Sequence, residues 1–251
     1  MASLVELVEY CQNLLKPSQF SDYCPNGLQI DAGNPEVSSL AVGVTACQAL
    51  IDTAADWGAD LLLVHHGFFW KGEPSPLVGV KGRRMTTLIR RGISLMAYHL
   101  PLDAHSEVGN NRQLGERFGI ADASPLPEGD GLLWYGTLLQ PESAHRVASR
   151  IASALNREPL HIPGGRREIQ RIGWCSGAAQ SYIEQAAAAG LDGFISGEIS
   201  EHTVHLAREL DIHYYAAGHH ATEQFGVQAL GERLRDRFGV RYRFIDVPNP
   251  V

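Results

Sequence analysis

The chain has 251 residues, room for one large domain or two ordinary ones, with 44% hydrophobic and 20% charged residues, the balance of a globular rather than a disordered protein. Its 21 Lys and Arg against 28 Asp and Glu give a formal charge of −7. That balance argues against a dedicated nucleic-acid surface, which concentrates cations against phosphate.

Leu4, Leu7, Val8, Cys11, Leu14 and Leu15 recur at helical spacing, and Pro17 follows them. Residues 18–35, rich in Pro, Gly, Asn and Asp, read as loop. Strands and helices then alternate: strand 39–44, helix 46–57 stopped by Gly58, strand 59–64, helix 81–91 stopped by Gly92, strand 93–98 and helix 111–118. Short apolar runs separated by helix-length segments imply parallel strands joined by crossover helices. Residues 121–131 (ADASPLPEGDG) mark the best domain boundary and divide the chain into lobes 1–124 and 125–251. Strand 132–139, helix 143–155, strand 159–162 and a turn at Gly164–Gly165 follow. The pattern of the first half then returns. LAVGVTACQALIDTAADWGADLLLVHHG and RIGWCSGAAQSYIEQAAAAGLDGFISGE share strand, Cys, Ala-rich helix, Gly, Asp and strand, a weak internal repeat.

No stretch approaches the roughly 20 apolar residues of a membrane helix. The first 17 residues lack the basic start and apolar run of a signal peptide, and the four cysteines form no CxxC pair. Both readings point to a cytoplasmic protein with reduced thiols. Arg166 and Arg167 with Arg171, and Lys81 with Arg83 and Arg84, read as solvated surface charge. There is no phosphate-binding glycine loop and no nucleophile elbow.

The eleven histidines are grouped: His65–His66, His99 with His105, His202 with His205, and His219–His220. His65, His66, Asp103, Glu198 and His219 all fall just past the carboxyl ends of predicted strands, the edge at which open α/β sheets bind ligands. Imidazole and carboxylate together suit Zn, Fe or Mn. Adjacent side chains leaving a strand diverge, so His65 and His66 suit two ions better than one, bridged by a carboxylate such as Asp103 or Glu223. His219 and Glu223, four apart, share a face if that segment is helical. Glu198 and His202, also four apart, are candidate acid–base residues, against the blander reading of a cap and a surface histidine. His99 and His105 flank Asp103 and could orient it or touch substrate. His145, His161 and His213 have no sequence companions and read as non-functional, and His220 as lying behind the ligands or exposed. Phe68, Phe69 and Trp70 read first as core and only second as a pocket wall.

The runs YCPNGLQI, VHHGFFW, AYHLPLDAH, SGEISEH and AAGHHATEQFG resemble the NIF-three-like family, whose bacterial members are labelled GTP cyclohydrolase I type 2 homologues. The resemblance covers the whole chain. It implies a dinuclear site of two divalent ions on His65, His66, Asp103, His219 and Glu223. It also implies an α/β fold of two lobes with partial topological similarity, mixed or parallel sheets flanked by helices, the metal site between them, and assembly as ring-shaped hexamers, trimers of dimers. The leading functional expectation is a metal-dependent hydrolase of a nucleotide-like or other small polar substrate, cyclohydrolase-like or phosphohydrolase-like. Its alternative is a non-catalytic metal-binding ring protein acting through a partner protein or nucleic acid.

Overall fold

The computed structural model describes every residue except 121, 166 and 167. The expected basic group at Arg166 and Arg167 therefore lies outside the described residues, as does the first residue of the expected boundary segment. The chain forms two compact units, Met1–Leu102 with Gly226–Pro248, and Asp103–Phe225 with Asn249–Val251. Among the described residues no helix is long and apolar enough to cross a membrane.

The first lobe opens with β1 (Ala2–Ser3) and α1 (Leu4–Leu15), which buries Leu4, Leu7, Cys11 and Leu15 along one stripe. Then come β2 (Gly27–Ile30), β3 (Glu36–Val37), β4 (Ser39–Thr45), α2 (Gln48–Trp57), β5 (Leu61–His66), α3 (Gly79–Arg90), β6 (Ser94–Ala97) and α4 (Leu100–Ala104). Gly58, at φ 76, closes α2 in the left-handed conformation that a glycine adopts without strain. β4, β5 and β6 pair in parallel, and β2 runs antiparallel on the edge beside β6. Four of the six residues of β5 are fully buried apolar groups, as a strand covered on both faces requires, each worth roughly 1.5–3 kcal/mol of burial. One face of this sheet packs Ala41, Leu62, Val64 and Leu95 against Leu50, Ile51 and Ala54 of α2 and Met85 and Leu88 of α3.

The second lobe contains α5 (Asn110–Arg117), β7 (Ser124–Pro125), β8 (Trp134–Ser143), α6 (Ala144–Leu155), β9 (Leu160–Ile162), β10 (Glu168–Cys175), α7 (Ile183–Ala188), β11 (Gly193–Ser196), α8 (Glu201–Glu209), β12 (His213–Ala216) and α9 (His219–Thr222). Its sheet order is β7-β8-β10-β11-β12-β9, with β10, β11 and β12 parallel and β8 and β9 antiparallel to their neighbours. Alternation along these strands sorts side chains to opposite faces. Trp174, Ile195 and Tyr215 join one core cluster, and Cys175, Phe194 and Tyr214 the other. The Ser143 hydroxyl caps α6 by accepting the Arg146 N–H. The chain then returns to the first lobe through α10 (Gln224–Phe238) and β13 (Arg241–Phe244), which pairs in parallel with β4.

Two expectations change and one holds. Gly27–Ile30, inside the expected loop 18–35, is an edge strand bulged between Leu28 and Ile30; its turn-rich flanks hid it. The expected mixed or parallel sheets are found, with β4–β5–β6 and β10–β11–β12 parallel and antiparallel strands beside them. The expected division at 124/125 falls inside the second unit, because β7 pairs with β8 and the C-terminal β13 completes the first sheet.

Candidate metal centre

In the first lobe the carboxyl ends of β5 and β6 gather three imidazoles. His65, His66 and His99 each offer a ring nitrogen within 4.8 Å of the others. His65 is fully buried, and its Nδ1 donates to the Tyr98 carbonyl at 2.8 Å. That bond puts a proton on Nδ1 and fixes the orientation of the ring. His66 Nδ1 bonds the Thr45 hydroxyl at 3.1 Å, on the neighbouring strand. His99 Nδ1 donates to Asp22 Oδ1 at 2.6 Å. Asp22 also accepts from Asn26 Nδ2 at 2.8 Å and the Leu100 N–H at 3.1 Å. Burial pushes the Asp22 carboxyl up, but the bonds from His99 and Asn26 outweigh it and hold the pKa at about 2. The Trp70 ring lies 5.0 Å from His99 and 5.8 Å from His66, centre to centre.

In the second lobe the corresponding sheet edge carries carboxylates and one imidazole. Asp103 is buried, and its Oδ1 accepts from Ser176 Oγ at 2.8 Å and Asn110 Nδ2 at 2.9 Å. Asn111 braces the same segment: its Oδ1 accepts the Ser176 N–H and its Nδ2 reaches the Asp103 carbonyl. His219 sits at the start of α9 with Nδ1 on Glu198 Oε1 at 2.6 Å and Nε2 at 3.0 Å from Glu223 Oε2. Burial would lower the His219 pKa; Glu223 and then Glu198 outweigh it and raise it to about 9. Glu223 itself is 3% exposed. It lies against Gly177, where a Cβ would overlap Oε1, so only a glycine leaves room for the carboxylate.

A family model for Duf34/NIF3 (NGG1p interacting factor 3) matches residues 2–250. A Pseudomonas aeruginosa protein named "GTP cyclohydrolase 1 type 2 homolog" is 51% identical, covering 99% of each chain. The Allochromatium vinosum protein of the same name is 49% identical over 100% of this chain and 98% of its own. The chain belongs to the Duf34/NIF3 family. A solved chain described as "Structural genomics, protein ybgI, unknown function" superposes with a TM-score of 0.95 at 45% identity, covering 100% of both chains. TTHA1606 from Thermus thermophilus superposes at 0.91 with 34% identity, again covering 100% of both.

On this Duf34/NIF3 scaffold both lobes carry residues expected from the sequence. His65 and His66 share a cluster in the first lobe; in the second, His219 is tied to Glu198 and Glu223, and Asp103 is held by Ser176 and Asn110. Glu198 bonds His219, and His202 is exposed on the first turn of α8. His99 joins His65 and His66, while His105 Nδ1 accepts the backbone N–H groups of Glu107 and Val108. His220 is buried, with its N–H on the Val251 carbonyl. His161 and His213 are companions after all: Nε2 and Nδ1 lie 3.1 Å apart across the β9–β12 pair, 52 residues apart in sequence. Asp22, Asn110, Ser176 and Gly177 escaped the sequence reading, since each is a single small or polar residue with no motif around it.

Proposed function

We propose that the chain is a metal-dependent hydrolase holding two divalent ions, Zn, Fe or Mn, on His65, His66, Asp103, His219 and Glu223. The observation that carries this reading is the fixed orientation of His65 and His219. Each donates Nδ1–H to a fixed acceptor, the Tyr98 carbonyl or Glu198, which orients the ring with Nε2 on its other side, the arrangement by which proteins offer imidazole to a metal once Nε2 is unprotonated. The donor chemistry also fits, because mixed nitrogen and carboxylate oxygen suits these transition metals better than Mg or Ca.

When bound, a pair of such ions supplies hydroxide by lowering the pKa of bound water to about 7. The chain's own residues do the positioning. Ser176 and Asn110 hold one Asp103 oxygen and thereby aim the other. Glu198 orients His219. Glu198 and the exposed His202 are the candidates for passing protons to solvent. The substrate class is a nucleotide-like or other small polar molecule, supported only by the name its relatives carry. Assembly as a hexamer, a trimer of dimers, belongs to the same proposal and is read by light scattering on the eluted protein.

The deciding experiment is elemental analysis of protein purified without added metal, beside His65→Ala and Glu223→Ala. About two ions per parent chain, with a loss in each variant, supports the site; no metal, or equal metal in all three, removes it. A loaded protein inert toward a panel of nucleotides and phosphoesters would instead be a metal-binding protein that acts through partners.

A further inference from the structure

The loop that follows His65 and His66 is strained. Phe69 has φ +67, a left-handed conformation that a bulky side chain rarely adopts. The core does not ask for it, because Phe68 is the residue that packs inside, at 4% exposure. Phe69 is instead 40% exposed.

The surroundings hold this conformation in place. The Glu73 carboxylate accepts the N–H of Phe69 at 3.0 Å and of Trp70 at 3.3 Å, and pairs with Lys81 Nζ at 2.9 Å. Lys81 Nζ in turn stands 5.2 Å from the centre of the Phe69 ring. Gln29 clamps the preceding residue, accepting the Phe68 N–H at 2.7 Å and donating to its carbonyl at 3.1 Å. Backbone strain maintained by this many contacts marks positions kept for function rather than stability. The segment so held presents the exposed flat ring of Phe69 one residue before Trp70, whose own ring lies 5.8 Å from His66 and 5.0 Å from His99.

We propose that Phe69, with Trp70 beside it, is a stacking platform for a flat heteroaromatic ring of the nucleobase type, bound at the His66–His99 end of the first lobe. The inference rests on reading that end as the reacting site, and names what the site recognises. Stacking needs a flat partner with a π face, so a sugar phosphate without a base is not held there.

The test is a titration of guanosine into the parent, Phe69→Gly and Phe69→Ala, followed by tryptophan fluorescence, with ribose 5-phosphate as the non-aromatic control. Glycine removes both ring and strain; alanine removes the ring and keeps the strain. The parent binds guanosine saturably, and both variants bind it about tenfold or more weakly. Phe69→Gly melts at or above the parent temperature and above Phe69→Ala, and both keep the parent's metal content. The proposal is overturned if the parent shows no saturable binding or the variants bind guanosine as the parent does. It is equally overturned if ribose 5-phosphate competes, or if either variant changes oligomeric state, which would make Phe69 a subunit contact. Elemental analysis of the same samples separates the two ideas. Guanosine binding without metal upholds the platform and sinks the metal reading; metal without guanosine binding does the reverse.

Discussion

Gly177→Ala is the sharpest perturbation of the second-lobe cluster. Gly177 has φ +66, which costs a residue with a Cβ about 1–2 kcal/mol. The new Cβ would collide with Glu223 Oε1 and stand 3.2 Å from its Cδ and 3.4 Å from His219 Nε2. Glu223 is 3% exposed and tied to His219, so it cannot swing into solvent without breaking that pair. Relieving such an overlap in a packed site costs about 1–3 kcal/mol. Together these destabilise by about 3 kcal/mol, a fall in melting temperature of about 6–12 °C for a chain of this size. Circular dichroism melts give that number, and elemental analysis should show the loss of at least one ion per chain. In Gly177→Ala/Glu223→Ala the colliding oxygens are gone, so the double variant should lose less stability than the two single changes added. Unchanged melting and metal content, or strict additivity, would refute the packing argument.

Three further outcomes follow from the same contacts. His219 has a folded pKa raised from 6.5 to about 9, so its stabilisation of chelator-treated protein is complete below pH 6.5 and fades as pH rises through 9. Melts across that range should fall in the parent and fall less steeply in Glu198→Gln, which keeps the larger Glu223 contribution, and metal affinity should rise by up to about tenfold per pH unit below 9 as the proton is shed. Ser176→Ala removes a hydrogen bond from buried Asp103 and should weaken metal binding about 10–100-fold in a competition titration while the fold survives. Asp22 has its pKa depressed from 3.8 to about 2, so its contribution is present above pH 3.8 and lost as pH falls through 2. Asp22→Asn should cost about 1–3 kcal/mol at pH 7 in urea unfolding and show a shallower acid dependence.

What was legible in the sequence was whatever local spacing decides. His65 and His66 are adjacent at a strand end, and His219 and Glu223 are four apart, so their chemistry shows as a pattern of neighbours. Gly58 and Gly92 stop helices where they stand, and both stops are found. What stayed hidden depends on contacts between distant segments. Asp22 meets His99 across 77 residues, and Ser176 meets Asp103 across 73. Neither pairing has a local signature, since one Asp in a turn and one Ser after a strand are unremarkable alone. The unit limits depend on contacts of the same kind: β13 pairs with β4, a partner 202 residues earlier, while the proline-rich segment that looked like a boundary leads into β7 and β8.

The repeat suspected from sequence gains physical content from the topology. β4–α2–β5–α3–β6 and β10–α7–β11–α8–β12 are both runs of three parallel strands taken in order. In each, a histidine just past the third strand has its Nδ1 bound to a carboxylate: His99 on Asp22, His219 on Glu198. In each, a hydroxyl at the end of the first strand holds another site residue: Thr45 with His66, Ser176 with Asp103. The carboxylates come from unrelated places, one from the loop before β2 and the other from the end of β11. What the two lobes share is therefore the place where the sheet delivers an oriented imidazole, not the residue that orients it. Around that common position the first lobe adds two more imidazoles, and the second adds Asp103 and Glu223. The difference is one of donor chemistry: imidazole nitrogen predominates in the first lobe and carboxylate oxygen in the second.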